Sequence, residues 1–196
     1  MEHIATKSHL EDRLSIADLI TGWIHRDLGE WDQLRNLFHP DATIEVSWFS
    51  GKASDFVDDS MKMGASVIKT KHVITAPVVT FNGDKALAET NAIVVADNAA
   101  IGFGCEVHLR CYDRVEKRNG LWKILERDAI YDMCTFIFPG GIVEIDKVAV
   151  QNYPREYGAL AYFIERSGLA VDRVYPTKGS DLEQTLKAKG RTWLKA

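Results

Sequence analysis

The 196-residue sequence is poor in the features that mark several large protein classes. It has three cysteines, Cys105, Cys111 and Cys134, an odd set without metal-type spacing. Reduced thiols in a cytoplasmic protein are the expectation, and a bridge between Cys105 and Cys111 within one predicted strand is not. No apolar run approaches the ~20 residues that span a bilayer. The opening MEHIATKSHLEDR lacks the apolar segment of a secretory signal. Cationic excess is also missing. With 24 Lys and Arg against 28 Asp and Glu, the net charge is −4, so neither nucleic acid nor an anionic membrane is an expected partner. There is no HxxxH or HxH pair, no GxSxG elbow and no glycine-rich phosphate loop. A metal, a nucleotide cofactor and serine hydrolase chemistry are therefore not expected.

What is present suits one domain with an appendage. The chain is 46% hydrophobic and 27% charged, which is enough apolar sequence for a sizeable core. A capping box at Ser8 and Glu11 opens a helix predicted over 9–28. Ile16, Leu19, Ile20, Trp23 and Ile24 form its apolar side. Asp27 lies one turn past Trp23 on that side, a costly place for a carboxylate without a partner. Gly29 stops this helix, and a short one follows over 31–38, ended by the solvated turn His39-Pro40-Asp41.

A strand is predicted over 43–49, with Ile44, Val46 and Trp48 on one face. A helix capped by Ser54 follows over 55–70, with Phe56, Met63 and Val67 inward. From Lys71 the period changes to two. Strands are expected over 71–81, 85–96, 101–118 and 121–138, with turns at Asn82-Gly83-Asp84 and Asn119-Gly120. Pro77 demands a sheet edge or a bulge. Strands of such length must bend. Helices over 154–167 and 180–189, the second capped by Ser180 and ended by Gly190, make a C-terminal extension. The order implies an α+β fold with helices on one face of a curved sheet.

The segments Leu10–Val46, Thr70–Phe81 (TKHVITAPVVTF) and Tyr112–Arg127 (YDRVEKRNGLWKILER) carry a resemblance. They resemble the SnoaL-like branch of the nuclear transport factor 2 superfamily. That resemblance implies a cone-shaped fold over 8–138 with a deep apolar pocket, and leaves 139–196 as a helical extension, a lid or an inter-subunit arm. Within the branch the chain is most similar to three kinds of lyase: scytalone dehydratase, bile acid 7α-dehydratase and hexachlorocyclohexane dehydrochlorinase. In such enzymes a helix aspartate and a strand histidine form a dyad, and the histidine removes a proton. Asp27 and His72 match those positions. Arg127 falls where the dehydrochlorinase has an active-site arginine. Gly22 departs from the pattern, standing where these enzymes often carry Tyr or Lys, and no second pocket histidine is evident.

The residues themselves leave alternatives. Asp27 and His72 are either a dyad, with the carboxylate fixing the tautomer of a general base, or a helix-end cap and a solvent-facing histidine. Strand alternation puts Leu121, Lys123, Leu125, Arg127, Ala129 and Tyr131 on one face. Arg127 then either points inward to hold negative charge or pairs with Glu89 or Asp128 at the surface. Tyr131 is a hydrogen-bond donor to substrate or an aromatic in the pocket wall. Trp23, Trp48, Phe49, Met63 and Phe103 are candidate pocket or core residues, and Asn91 is a candidate polar group in the cavity. His108 falls on the outer sheet face, commonly an oligomer interface in this family, and a homodimer or trimer is expected. The leading functional expectation is a cofactor-free lyase or isomerase on a small apolar cyclic substrate. The rivals are a polyketide or terpenoid cyclase, and a non-catalytic ligand-binding protein or a subunit resembling the β subunits of ring-hydroxylating dioxygenases.

Overall fold

The computed structural model describes residues 9–196 and breaks the first predicted helix in two. Helix α1 is Leu10–Thr21 and α2 is Ile24–Leu28. The cap expected from Ser8 lies outside the described residues. Between the two helices the bonds tighten to a three-residue spacing. Trp23 N–H donates to Ile20 O at 3.2 Å, His25 N–H to Gly22 O at 3.0 Å and Arg26 N–H to Trp23 O at 3.1 Å. Such a turn brings residues i and i+3 to the same side. The inward face therefore runs through Ile16, Ile20, Trp23 and Arg26, while Ile24, expected inside, is 48% exposed. Gly29 ends α2 in the left-handed conformation, φ 71°, that glycine adopts without a Cβ penalty.

Helix α3 (Trp31–Asn36) runs into β1 (Phe38–Val46), which pairs antiparallel with β2 (Phe49–Lys52). His39 thus lies in a strand and not in a solvated turn. It is buried, with Nε2 2.9 Å from Glu116 O. Helix α4 (Ala53–Gly64) begins before Ser54, whose hydroxyl binds Asp55 instead of capping the helix. The helix stops before Val67, which is exposed, because Ile68 already opens β3 (Ile68–Ile74). Pro77 separates β3 from β4 (Val78–Asn82), and both pair along one edge of β5 (Lys85–Asn98). β6 (Phe103–Arg118) and β7 (Leu121–Ile137) follow. The strand order is β2-β1-β7-β6-β5-β3, with β4 also on β5. Among the described strand pairs, β1–β7 is the one that is parallel.

The sheet curls into an open half-barrel, and bulges decide which side chains enter it. In the β6–β7 pair the register shifts between Arg114 and Val115, leaving Leu125 extra, and between His108 and Leu109, leaving Asp132 extra. One extra residue flips the facing of everything beyond it. Trp122 and Ile124 point inward before the first bulge, and Arg127, Ala129 and Tyr131 after it. Leu121, Lys123 and Leu125, expected on the face of Arg127, are on the other.

The C-terminal segment uses both faces of its own sheet. An unexpected short helix, α5 (Lys147–Val150), is capped by Asp146, which accepts from Val148 N–H and Ala149 N–H. Helix α6 (Gly158–Arg166) starts later than expected, after a turn at 154–157, and lies in the concave face with Gly158 to Ile164 all buried. Each large apolar side chain so buried contributes about 1.5–3 kcal/mol. The chain then crosses the edge of β7 beyond the end of β1. There Tyr131 N–H donates to Pro176 O at 2.9 Å and Lys178 N–H to Tyr131 O at 3.0 Å. Helix α7 (Asp181–Lys195) covers part of the convex face, packing Leu194, Leu186 and Trp193 around Leu87, Tyr112 and Ile130. Ser180 caps it as expected. Gly190 does not end it. The glycine lies against the Tyr112 ring, where a Cβ would come within 2.7 Å of Cε1.

Candidate functional site

The concave face holds a cavity of about 110 Å³, walled mainly by apolar side chains. This is the same order as the apolar cavity of about 150 Å³ that accepts a benzene ring, a scale of one small ring. Helices α1 and α2 supply Trp23 and Arg26, and α4 supplies Phe56 and Met63. The sheet supplies Val94, Val107, Cys111 and Arg127 among others, and α6 closes one side with Leu160, Phe163 and Ile164. The small residues Ala92 and Ala96 on β5 and Ala129 on β7 leave the space open.

His72 and Asp27 meet at the cavity wall. Asp27 Oδ1 is 2.6 Å from His72 Nδ1, and Asp27 Oδ2 accepts the backbone N–H of His72 at 2.8 Å. The Asp27 side chain is 2% exposed and that of His72 9%. A carboxylate on Nδ1 keeps the proton there and makes Nε2 the acceptor, with Arg26 Nη1 3.4 Å away. Burial would raise the Asp27 carboxyl, but the His72 hydrogen bonds and the charges of His72 and Lys71 carry it below the usual range. Burial holds His72 below its ordinary 6.5 despite Asp27, with Arg26 and Arg127 pushing the same way. The imidazole is therefore neutral at pH 7, the form a base requires.

Arg127 points inward and is buried, and its partner is neither Glu89 nor Asp128. Asp113, its register neighbour on β6, accepts from Nε at 2.7 Å and from Nη2 at 2.8 Å. Arg127 Nη1 has no hydrogen-bond partner among the described residues. The guanidinium carbon stands 4.3 Å from the centre of the Trp23 ring. Burial opposes its charge, yet Asp113 holds its pKa above the ordinary arginine value.

Other expected residues divide. Trp23, Trp48, Met63 and Tyr131 line the cavity. Tyr131 Oη accepts Ser47 N–H at 2.8 Å, within a cluster with Tyr157 and Tyr175. Phe103 belongs to the core away from the cavity, against Phe136, Tyr162 and Phe163. Phe49 packs on Trp48 and Phe56 behind the wall. Asn91 is exposed, because the alternation that turns Ala92 and Val94 inward turns it outward. His108 lies on the outer face beside Glu106.

Two residues had gone unnoticed. Asp113 continues the inward period of Cys105, Val107, Leu109 and Cys111, so alternation alone pointed to it. Arg26 was hidden by the assumption of a continuous helix. Only the tightened turn after Gly22 carries it inside, where Nη1 donates to Thr70 Oγ1 at 2.9 Å and lies 3.4 Å from His72 Nε2. Among the described residues, no group of three or more His, Cys, Asp or Glu is placed to hold a metal ion. No helix there is long and apolar enough to cross a membrane.

Curled sheet, covering helices and an apolar cavity between them define a nuclear transport factor 2-like α+β cone. Residues 8–128 match the SnoaL-like domain, and the chain belongs to that family. Among curated proteins it is similar to pea pathogenicity protein 2 of Fusarium vanettenii, 27% identical over 164 residues, covering 79% of this chain and 70% of the relative. Two solved structures share the fold. One is assigned as a scytalone dehydratase from Novosphingobium aromaticivorans, with TM-score 0.58, 18% identity and coverage of 70% of this chain and 98% of that one. The other is a type 2 hexachlorocyclohexane dehydrochlorinase (LinA), with TM-score 0.59, 18% identity and coverage of 71% and 96%.

Proposed function

We propose that the protein is a lyase or isomerase that needs no cofactor and acts on a small, mostly apolar cyclic substrate with an acidic C–H. His72 Nε2 takes the proton. Asp27 orients the ring and balances the imidazolium as it forms. Arg127, through its unpartnered Nη1, stabilises negative charge on the substrate or the departing group. Tyr131 completes the wall near that charge. The observation that carries this reading is the double engagement of Asp27 with the ring and backbone of His72 at an open cavity. A purely structural subunit would need neither the pair nor the space. General base catalysis supplies only ~10²–10⁴-fold, so Arg127 and positioning in a dry pocket carry the remainder.

The test uses 5-nitrobenzisoxazole, a compact base-sensitive probe. Loss of its ring proton breaks the N–O bond and yields a nitrile and a coloured phenolate. The wild-type rate should rise with pH through a midpoint below 6.5, the ordinary histidine value. His72→Gln should lower kcat/KM by ~10²-fold or more. An unchanged rate in His72→Gln would rule out the histidine as base.

A further inference from the structure

Among the described residues, Arg26 is a buried cation that no carboxylate contacts. Its residue is 8% exposed. The guanidinium touches only neutral groups: Thr70 Oγ1 at 2.9 Å, Ser60 Oγ at 3.4 Å, Met63 Sδ at 3.8 Å and His72 Nε2 at 3.4 Å. The neighbouring carboxylate of Asp27 is committed elsewhere, to His72 at 2.6 Å and 2.8 Å and to Lys71 Nζ at 3.5 Å. Burial pulls the Arg26 pKa down to about 10, which still leaves it charged at neutral pH. A desolvated guanidinium is costly unless a counter-charge joins it, and its planar fork matches a carboxylate. Its neighbours include the rings of Trp48 and Phe56, at 6.0 Å and 5.9 Å, which also wall the cavity. The cavity that Arg26 lines gives an anion from outside a way to it.

We infer that the pocket takes a carboxylate: a one-ring-sized apolar acid whose carboxylate lies against Arg26 and whose ring fills the apolar space. This rests on the proposed site for the location of the ligand, but not on the proton transfer assigned to His72. The geometry makes Arg26 a specificity-determining residue. It selects acids over neutral compounds of equal shape and sets the substrate beside Nε2.

The experiment titrates the 196-residue chain with benzoate and cyclohexanecarboxylate, and with the matching primary amides as neutral isosteres. The emission of Trp23 and Trp48 in the wall and the thermal midpoint report binding. The expected result is that the acids bind at least tenfold more tightly than their amides. Arg26→Met should erase that preference, and Arg26→Lys should keep part of it. The lysine variant retains a charge at the site and guards against misfolding of the methionine variant. His72→Gln separates the two readings. Acid preference retained there, with benzisoxazole turnover lost, supports both. Acid preference retained with turnover unchanged removes the base and leaves the anion site. Amides binding as well as acids, acids failing to bind, or Arg26→Met binding acids like wild type would each overturn the inference.

Discussion

Removing Asp113 should cost more than removing any other carboxylate of the sheet. The residue is 0% exposed and accepts two short hydrogen bonds from Arg127, itself 2% exposed with one amino group already unpartnered. In Asp113→Ala the guanidinium keeps its charge, because arginine does not deprotonate near neutrality. It loses both strong partners, and water cannot reach it freely. Breaking a buried pair in this way costs about 3–5 kcal/mol. At about 2–4 °C per kcal/mol for a domain of this size, the thermal midpoint should fall by roughly 6–20 °C. Replacing both members, as Arg127→Met with Asp113→Leu, removes the buried charges together and should recover most of the loss. Thermal and urea melts of wild type, the single variant and the double variant measure this directly. A fall below about 3 °C in Asp113→Ala would refute the claim that Arg127 depends on this partner. A double variant no better than the single would show that packing, not charge, is at stake.

Two further outcomes are expected. Gly190→Ala should destabilise by about 1–3 kcal/mol in a urea melt, because its Cβ would press on the Tyr112 ring. Helix propensity alone would stabilise by roughly 1 kcal/mol, so a more stable variant would disprove the close packing of α7 on the sheet. Stability should also fall on acidification. The folded pKa of His72 lies below 6.5, so the unfolded chain takes up the proton first. This contribution is complete above about pH 6.5 and is lost as pH falls through the folded value. Asp27, also lowered on folding, adds a second loss at more acidic pH. His72→Gln should flatten the decline just below pH 6.5, and identical slopes in the two proteins would contradict the shift.

Much of this protein is written locally. Period-two alternation across 105–111 puts Val107 and Leu109 on the cavity side without any knowledge of the third dimension, and Asn119-Gly120 places the hairpin. Asp27 stands out because a carboxylate on an apolar helix side demands a partner. His72, recognisable by resemblance, is that partner. Other features depend on departures from regularity that local patterns do not encode. The extra residues at Leu125 and Asp132 flip the faces of β7, so an unbroken alternation misplaces Leu121 and Lys123 while putting Arg127 correctly. The turn after Gly22 tightens, turning Ile24 out and Arg26 in. Gly190 reads as a helix stop, and only the Tyr112 ring shows that it is a contact point.

The sequence alone determined the α+β class and the order of helices and long strands, because these follow from periodicity and turn chemistry between near neighbours; that Asp27 and His72 meet was implied by resemblance and not by periodicity. The tertiary structure decided that Arg127 is neutralised by Asp113, that Arg26 faces the same cavity without a counter-charge, and that the C-terminal helices take opposite faces of the sheet. Each of these depends on the curl of the sheet and on which distant side chains share a desolvated space, and charge has its full consequence only where water is excluded.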